Sequence, residues 1–278
     1  MKKVILTSLF LLTFNFLAYA QSSIRQVDFN NFTYKPYCAA EDTRDITVKN
    51  SEFLEEKQTG DDVSRLYFKV FALSYGDFNG DGKDEAFALT YCNLGGEGYT
   101  SEGFVYTMKN DKPVLLARIQ GGDRAQGGLR SAKVEKGMFV LERYAVDETG
   151  YACCPEFIVT TNYKWNGREL VEVGVPAKRD LYPSTPVTFE KDKNSVNLNV
   201  SIPSGKFKRY VVSGRVGQTL TISTDAKNVA VKLVRGAADV NETARGFLAV
   251  LNDNGEFIVQ VQDISGSGAE AVVKIEIK

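Results

Sequence analysis

The sequence predicts an all-β protein of two β-rich domains, the second a β-sandwich, with room for one short helix in the first. Three observations carry this. Apolar residues recur at every second position through the last third of the chain, as half-buried strands require. Turn pairs such as Asn110-Asp111, Lys136-Gly137 and Asn166-Gly167 separate runs rich in Val, Ile, Tyr and Phe. No long stretch has the 3.6-residue period of an amphipathic helix.

The elements follow in order. Met1-Lys2-Lys3 is basic, Val4 to Leu17 is mostly apolar, and Ala18-Tyr19-Ala20 is a small-x-small cleavage site. Residues 1–20 therefore read as a secretory signal peptide, since the apolar run falls short of the roughly 20 residues a bilayer needs. Residue 21 is Gln, so no lipid-bearing Cys follows the cut. The mature chain is expected to be periplasmic or secreted, without a stable membrane anchor. Residues 21–174 form the first β-rich domain, with the short helix expected over Ser51–Asp62. RLYFKVFALSYGDF and DEAFALTYC flank an Asp-rich loop, and later strands turn at Asn110-Asp111, Glu135-Lys136-Gly137 and Asn166-Gly167. Pro176, Pro183 and Pro186 mark residues 175–186 as a linker, because proline breaks both helix and sheet ladders. In the module 187–278, one strand face holds Val196, Leu198, Val200 and Ile202; others hold Tyr210 and Val212, Leu220 and Ile222, Phe257, Val259 and Val261, or Val273, Ile275 and Ile277.

Composition narrows the chemistry. Lys and Arg number 34 against 35 Asp and Glu, so no net field draws nucleic acid. The chain has no histidine, which removes Ser-His-Asp triads, Cys-His pairs and histidine-ligated zinc. Four cysteines remain: Cys38, Cys92, Cys153 and Cys154. An even count in an exported chain points to disulfides. Adjacent side chains on an extended segment point apart, so one of Cys153 and Cys154 is expected to reach Cys92 and the other Cys38.

The loop GDFNGDGKDEA, residues 76–86, is the strongest local motif. Asp77, Asn79, Asp81 and Glu85 place hard oxygens at alternate positions, the Lys83 carbonyl adds another, and Gly80 and Gly82 permit tight coiling. This donor set suits calcium. Asp84 falls out of step and is expected to face solvent. Ala88 stands where a helix–loop–helix calcium site needs a bidentate Glu. The expected role is structural, tying two strands together.

This loop resembles the calcium loops of FG-GAP and integrin-type β-propeller repeats, in a single copy. From YGDFNGDGKDEAFALTYC through GGDRAQGGLRSAKVEKGMFVLERY to YKWNGRELVEVG, the chain resembles the LppP/LprE type of bacterial envelope protein. VNLNVSIPSGKFKRYVVSGRVGQTLTIST resembles the bacterial pre-peptidase C-terminal β-sandwich and the periplasmic inhibitor of invertebrate-type lysozyme, through Tyr210-Val211 and Gly217 to Thr221. The inhibitor's Arg-rich loop is replaced here by QDISGSGAE.

The glycine-rich stretches 93–103 and 121–128 lack the helix and Gly-Lys-Ser/Thr of a phosphate cradle. They are expected to connect strands, and could rim a ligand site with Tyr99, Arg124 and Arg130; Asp123 and Arg124 are expected to pair locally. Trp165 reads as a packing residue rather than a sugar platform. The functional expectation is a monomeric, non-catalytic, calcium-stabilised exported protein with a protein or glycan partner in the cell envelope. Two alternatives are an inhibitor of lysozyme or peptidase, and a hydrolase of glycans that uses paired carboxylates.

Overall fold

The computed structural model describes residues 23–39, 44–95, 98–122, 127–146 and 155–278. The signal peptide, Cys153, Cys154, Asp123 and Arg124 lie outside the described residues. The described chain is nearly all β and forms two compact units that meet between Arg179 and Asp180.

In the first unit, β1 (Thr33–Tyr34) pairs with β2 (Ile46–Thr47). An antiparallel meander follows: β3 (Glu52–Thr59), β4 (Asp62–Gly76), β5 (Glu85–Asn93), β6 (Thr100–Lys109) and β7 (Lys112–Gly122). A second meander holds β8 (Leu129–Glu135), β9 (Met138–Ala145), β10 (Phe157–Trp165) and β11 (Leu170–Asp180). The five-stranded sheet is covered on both faces. Ala86, Ala88 and Cys92 of β5, with Phe104 and Tyr106 of β6, pack against Ile24, Phe29, Tyr34 and Ile46 of the N-terminal segment. Between them, Phe87, Leu89 and Val105 point the other way, onto Leu129, Phe139 and Leu141 of the second meander. Phe87 stacks on Phe139 with ring centroids 4.5 Å apart. The expected turns form: Asn110 and Asp111 have φ of 51° and 57°, and Lys136 and Gly137 have 52° and 69°. These positive values give the tight reversals whose twist matches the strands.

The helix expected over Ser51–Asp62 is absent. That stretch is β3, which turns at Gly60 into β4. Cross-strand charge pairs, Glu52–Lys69 at 2.7 Å and Glu56–Arg65 at 3.5 Å, fix the register where little apolar surface is buried.

In the second unit, β12 (Ser184–Pro186), β14 (Phe207–Gly214), β19 (Gly255–Asp263) and β16 (Val229–Arg235) form one sheet in that order. β13 (Ser195–Ile202), β20 (Ala269–Ile277), β15 (Thr219–Thr224), β18 (Gly246–Leu251) and β17 (Ala238–Thr243) form the other. Their facing side chains, among them Val212, Leu220, Phe257, Val259, Val273 and Ile275, make one core.

The linker expected over 175–186 is also corrected. Pro176 lies within β11, and Pro186 ends β12, which pairs in parallel with β14. Both strands are at sheet edges, where a missing proline N–H leaves no ladder bond unmade.

Candidate functional site

The Asp-rich loop joins β4 to β5, as the strand-like flanks imply. Asp77 accepts hydrogen bonds from the backbone N–H groups of Gly80 at 2.7 Å and Gly82 at 2.9 Å. Asn79 accepts from Asp81 N–H, and Asp81 from Lys83 N–H, each at 2.9 Å. Gly80 and Gly82 both take φ of 81°, the left-handed region this coiling requires. Glu85 stands apart, with 0% of its surface exposed. It accepts from the Asn79 amide at 2.8 Å, the Thr107 hydroxyl at 3.1 Å and Phe78 N–H at 3.4 Å, all neutral donors. Burial pushes its carboxyl up to about 7; the hydrogen bonds from Thr107 and Phe78 oppose this, and the charges of Asp81 and Asp77 add to it.

Among the described residues no three His, Cys, Asp or Glu side chains converge on a common metal position. The loop thus has the expected hard-oxygen residues, but the carboxylates of Asp77 and Asp81 are turned to backbone donors. Asp84 does not face solvent alone: it pairs with Arg25 at 2.5 Å, and Arg25 also lies 5.1 Å from the Tyr75 ring centre. This fastens the chain's first described turn, Ile24–Gln26, to the loop. Trp165 packs edge-on against Phe78 at 6.1 Å.

The disulfide joins Cys38 to Cys92, which overturns the expected link from Cys92 to Cys153 or Cys154. The cause is the pleat. Cys92 shares a face of β5 with Ala86 and Ala88, and that face meets the N-terminal segment carrying Cys38.

Sequence reasoning missed a cavity of about 560 Å³ at the far end of β5. Tyr37, Phe68, Leu94 and Tyr99 supply apolar surface, while Thr90, Ser101, Glu102 and Gln120 supply polar groups. Tyr99, from the first glycine-rich stretch, is therefore at a cavity, whereas Arg130 pairs with Glu142 on the second meander. Glu102 is 8% exposed. It accepts from Arg118 Nε at 2.7 Å and from Tyr37 N–H at 3.0 Å, with Arg118 Nη2 at ion-pair distance, 2.5 Å. Burial raises its carboxyl above the ordinary range, opposed by the Tyr37 N–H and by Arg118. The Arg118 guanidinium stacks 3.6 Å from the Tyr37 ring centre and donates to the Lys35 carbonyl. The cavity's clues in the sequence were the two glycine-rich stretches read as able to rim a ligand site, of which 93–103 supplies Leu94 and Tyr99 and 121–128 supplies Gly122; its other walls come from segments distant along the chain.

Glu85 and Cys92 lie at opposite ends of β5. At a strand rise of about 3.4 Å per residue, roughly 24 Å separates loop from cavity.

No protein-family model matches the chain, so the likeness to LppP/LprE proteins and FG-GAP loops gains no support. No curated protein matches either. Structural similarity was found to periplasmic inhibitors of g-type lysozyme. The Salmonella Typhimurium protein has 19% identity and a TM-score of 0.30, covering 34% of this chain and 97% of its own. The Aeromonas hydrophila protein has 18% identity and a TM-score of 0.30, covering 34% and 96%. A fibre fragment of the Pseudomonas aeruginosa R1 pyocin has 10% identity and a TM-score of 0.19, over 77% of this chain and 83% of its own. At these scores the likeness carries no argument. Among the described residues no helix is long and apolar enough to cross a membrane.

Proposed function

We propose that this chain is an exported, non-catalytic binding protein whose N-terminal unit is braced by calcium at the β4–β5 loop. The supporting observation is Glu85, a fully buried carboxylate that meets only neutral donors while Asp77 and Asp81 lie in the same loop. A buried charge without a counter-charge is costly. A cation held by Asp77, Asn79, Asp81, the Lys83 carbonyl and Glu85 supplies that counter-charge and ties β4 to β5. The roughly 24 Å between loop and cavity favours a bracing metal over one that takes part in chemistry.

The test is thermal unfolding followed by the fluorescence of Trp165, the chain's single tryptophan. Calcium at about 100 times its dissociation constant should stabilise by about 2.7 kcal/mol, and EDTA should remove the gain. Asp81→Ala should abolish the response. A melting curve indifferent to calcium rejects the metal.

The inhibitor alternative is tested separately. In the region where the resembling inhibitor carries an Arg-rich loop, this chain folds a turn whose acid is spent on local and neighbouring donors: Asp263 accepts from the Ser265 hydroxyl at 2.6 Å, from Gly268 N–H at 3.0 Å and from Gly205 N–H of the β13–β14 turn at 2.9 Å. Full-length protein should therefore leave lysozyme activity unchanged. Stoichiometric inhibition would replace the present reading.

A further inference from the structure

We propose that the cavity beside the Cys38–Cys92 disulfide binds a neutral ligand with an apolar body and a hydrogen-bond donor at one end. The inference rests on the binding reading above only in treating the cavity as a place where a ligand is held rather than transformed.

Size is the first ground. A volume of about 560 Å³ falls within the range of roughly 300–1,000 Å³ typical of small-molecule sites. Exposure is the second. Leu94 is 61% exposed, Tyr37 53% and Tyr99 48%, and all three border this one cavity. Large apolar side chains scattered singly need no explanation, but three around a concave site mark a surface that gains from being covered. The third ground is rigidity. The disulfide fixes the Tyr37–Ala39 turn to β5, and Arg118 holds the same segment by stacking on Tyr37 and bonding the Lys35 carbonyl. A site fixed before binding loses less conformational entropy when its ligand arrives.

The polar groups select the ligand's head. Thr90 is fully buried and spends its hydroxyl hydrogen on the Glu102 carbonyl at 2.9 Å, so it belongs to the floor of the site. The second Glu102 carboxylate oxygen takes one N–H, that of Tyr37, of the two donors such an oxygen can accept. It therefore asks for a donor. Charge decides which kind. Among the described lining residues Glu102 is the only charged side chain, and Arg118 already cancels it through a hydrogen-bonded ion pair. An ammonium head would lose its hydration for a carboxylate that is already neutralised, and a carboxylate head would meet acceptors. A hydroxyl or amide N–H meets neither cost.

The experiment titrates the full mature chain by calorimetry with three probes that share one body: biphenylmethanol, biphenylmethylammonium and biphenylcarboxylate. The alcohol should bind, with the two charged probes at least about tenfold weaker, a difference of about 1.4 kcal/mol. Leu94→Arg and Tyr99→Ala, both at exposed positions, should each weaken the alcohol by a similar factor without lowering the melting temperature. The proposal is overturned if no probe binds at about 1 mM, which corresponds to only about 4 kcal/mol. It is also overturned if a charged probe binds best, or if both rim variants bind like the parent. Conversion of the alcohol to a product during the titration would sink the non-catalytic reading while leaving the ligand class intact.

Discussion

The two units bury their strands in different ways. In β5 of the N-terminal unit every residue from Glu85 to Thr90 is buried. In β20 of the C-terminal unit burial alternates: Ala271, Val273 and Ile275 are buried, while Val272 and Lys274 between them are exposed. A sheet covered on both faces leaves β5 no side facing water, whereas β20 keeps one face toward the sandwich core and the other toward water. The largest effect that tests this contrast is a residue-by-residue scan. Phe87→Ala, which removes a ring stacked on Phe139, should cost about 3–5 kcal/mol. Serine substitutions at neighbouring β5 positions, Phe87, Ala88 and Leu89, should all destabilise. In β20 only alternate positions should do so, with Val273→Ser severe and Lys274→Ser close to neutral. Alternating sensitivity along β5 would break the comparison.

The same contrast explains what could be read in the sequence. The core of the C-terminal unit was legible almost side chain by side chain: Val200, Ile202, Tyr210, Val212, Leu220, Ile222, Phe257, Val259 and Val261 are all in it. Period two is sufficient when one face is wet. Strand β17 was not legible, because it is an exposed edge with no apolar stripe, and β18 was passed over although Phe247, Ala249 and Leu251 alternate on its buried face. In the N-terminal unit the strands around the loop were visible as apolar runs, but no pattern said which face each side chain took. The cysteine pairing was misread for that reason, since it depends on which way Cys92 points. Only the cavity's rim at Tyr99 was legible, because Tyr37, Glu102 and Arg118 come together only through the fold.

The next effect is the disulfide. Cys38 and Cys92 are 54 residues apart, and closing a loop of that length is worth about 4 kcal/mol in the chain-entropy account. Replacing both with serine should lower the melting temperature reported by Trp165. Segments 180–278 should keep their hydrogen-exchange protection. Loss of protection in both units together would show that they unfold as one.

A smaller effect concerns where the second unit begins. A fragment spanning 180–278 keeps β12 and the Arg235–Asp180 pair, whose two bonds are 2.9 and 3.2 Å long. A fragment spanning 187–278 loses both. The longer fragment should melt cooperatively, and the shorter one roughly 4–8 °C lower, the shift that a loss of about 1 kcal/mol produces in a unit of this size. Equal melting temperatures would return the boundary to residue 187.

The smallest effect has opposite signs in the two units, which makes it a clean discriminator. Burial raises the Glu85 carboxyl from its ordinary 4.5 to about 7, and raises Glu102 as well. A raised carboxyl binds its proton more tightly when folded. Its contribution to stability is therefore fully present below about 4.5 and is lost as pH climbs through about 7. Asp263 is shifted the other way, held well below its ordinary 3.8 by the Ser265 hydroxyl and by the backbone N–H groups of Gly205, Ser265 and Gly268. Its contribution is present above about 3.8 and is lost only as pH falls toward its depressed value. In EDTA, the Trp165 melting temperature should rise between pH 8 and pH 5, while the 180–278 fragment stays level there and weakens only in stronger acid. The depressed carboxyls of the first unit, such as Glu142, act below that window and leave its slope unchanged. Glu85→Gln should reduce the slope, leaving the share that Glu102 contributes. Calcium should reduce it too, because a bound cation keeps the carboxylate ionised across the whole range. If the N-terminal unit is level from pH 8 to pH 5 in EDTA, Glu85 is not the isolated buried acid described above, and the case for a cation beside it falls as well.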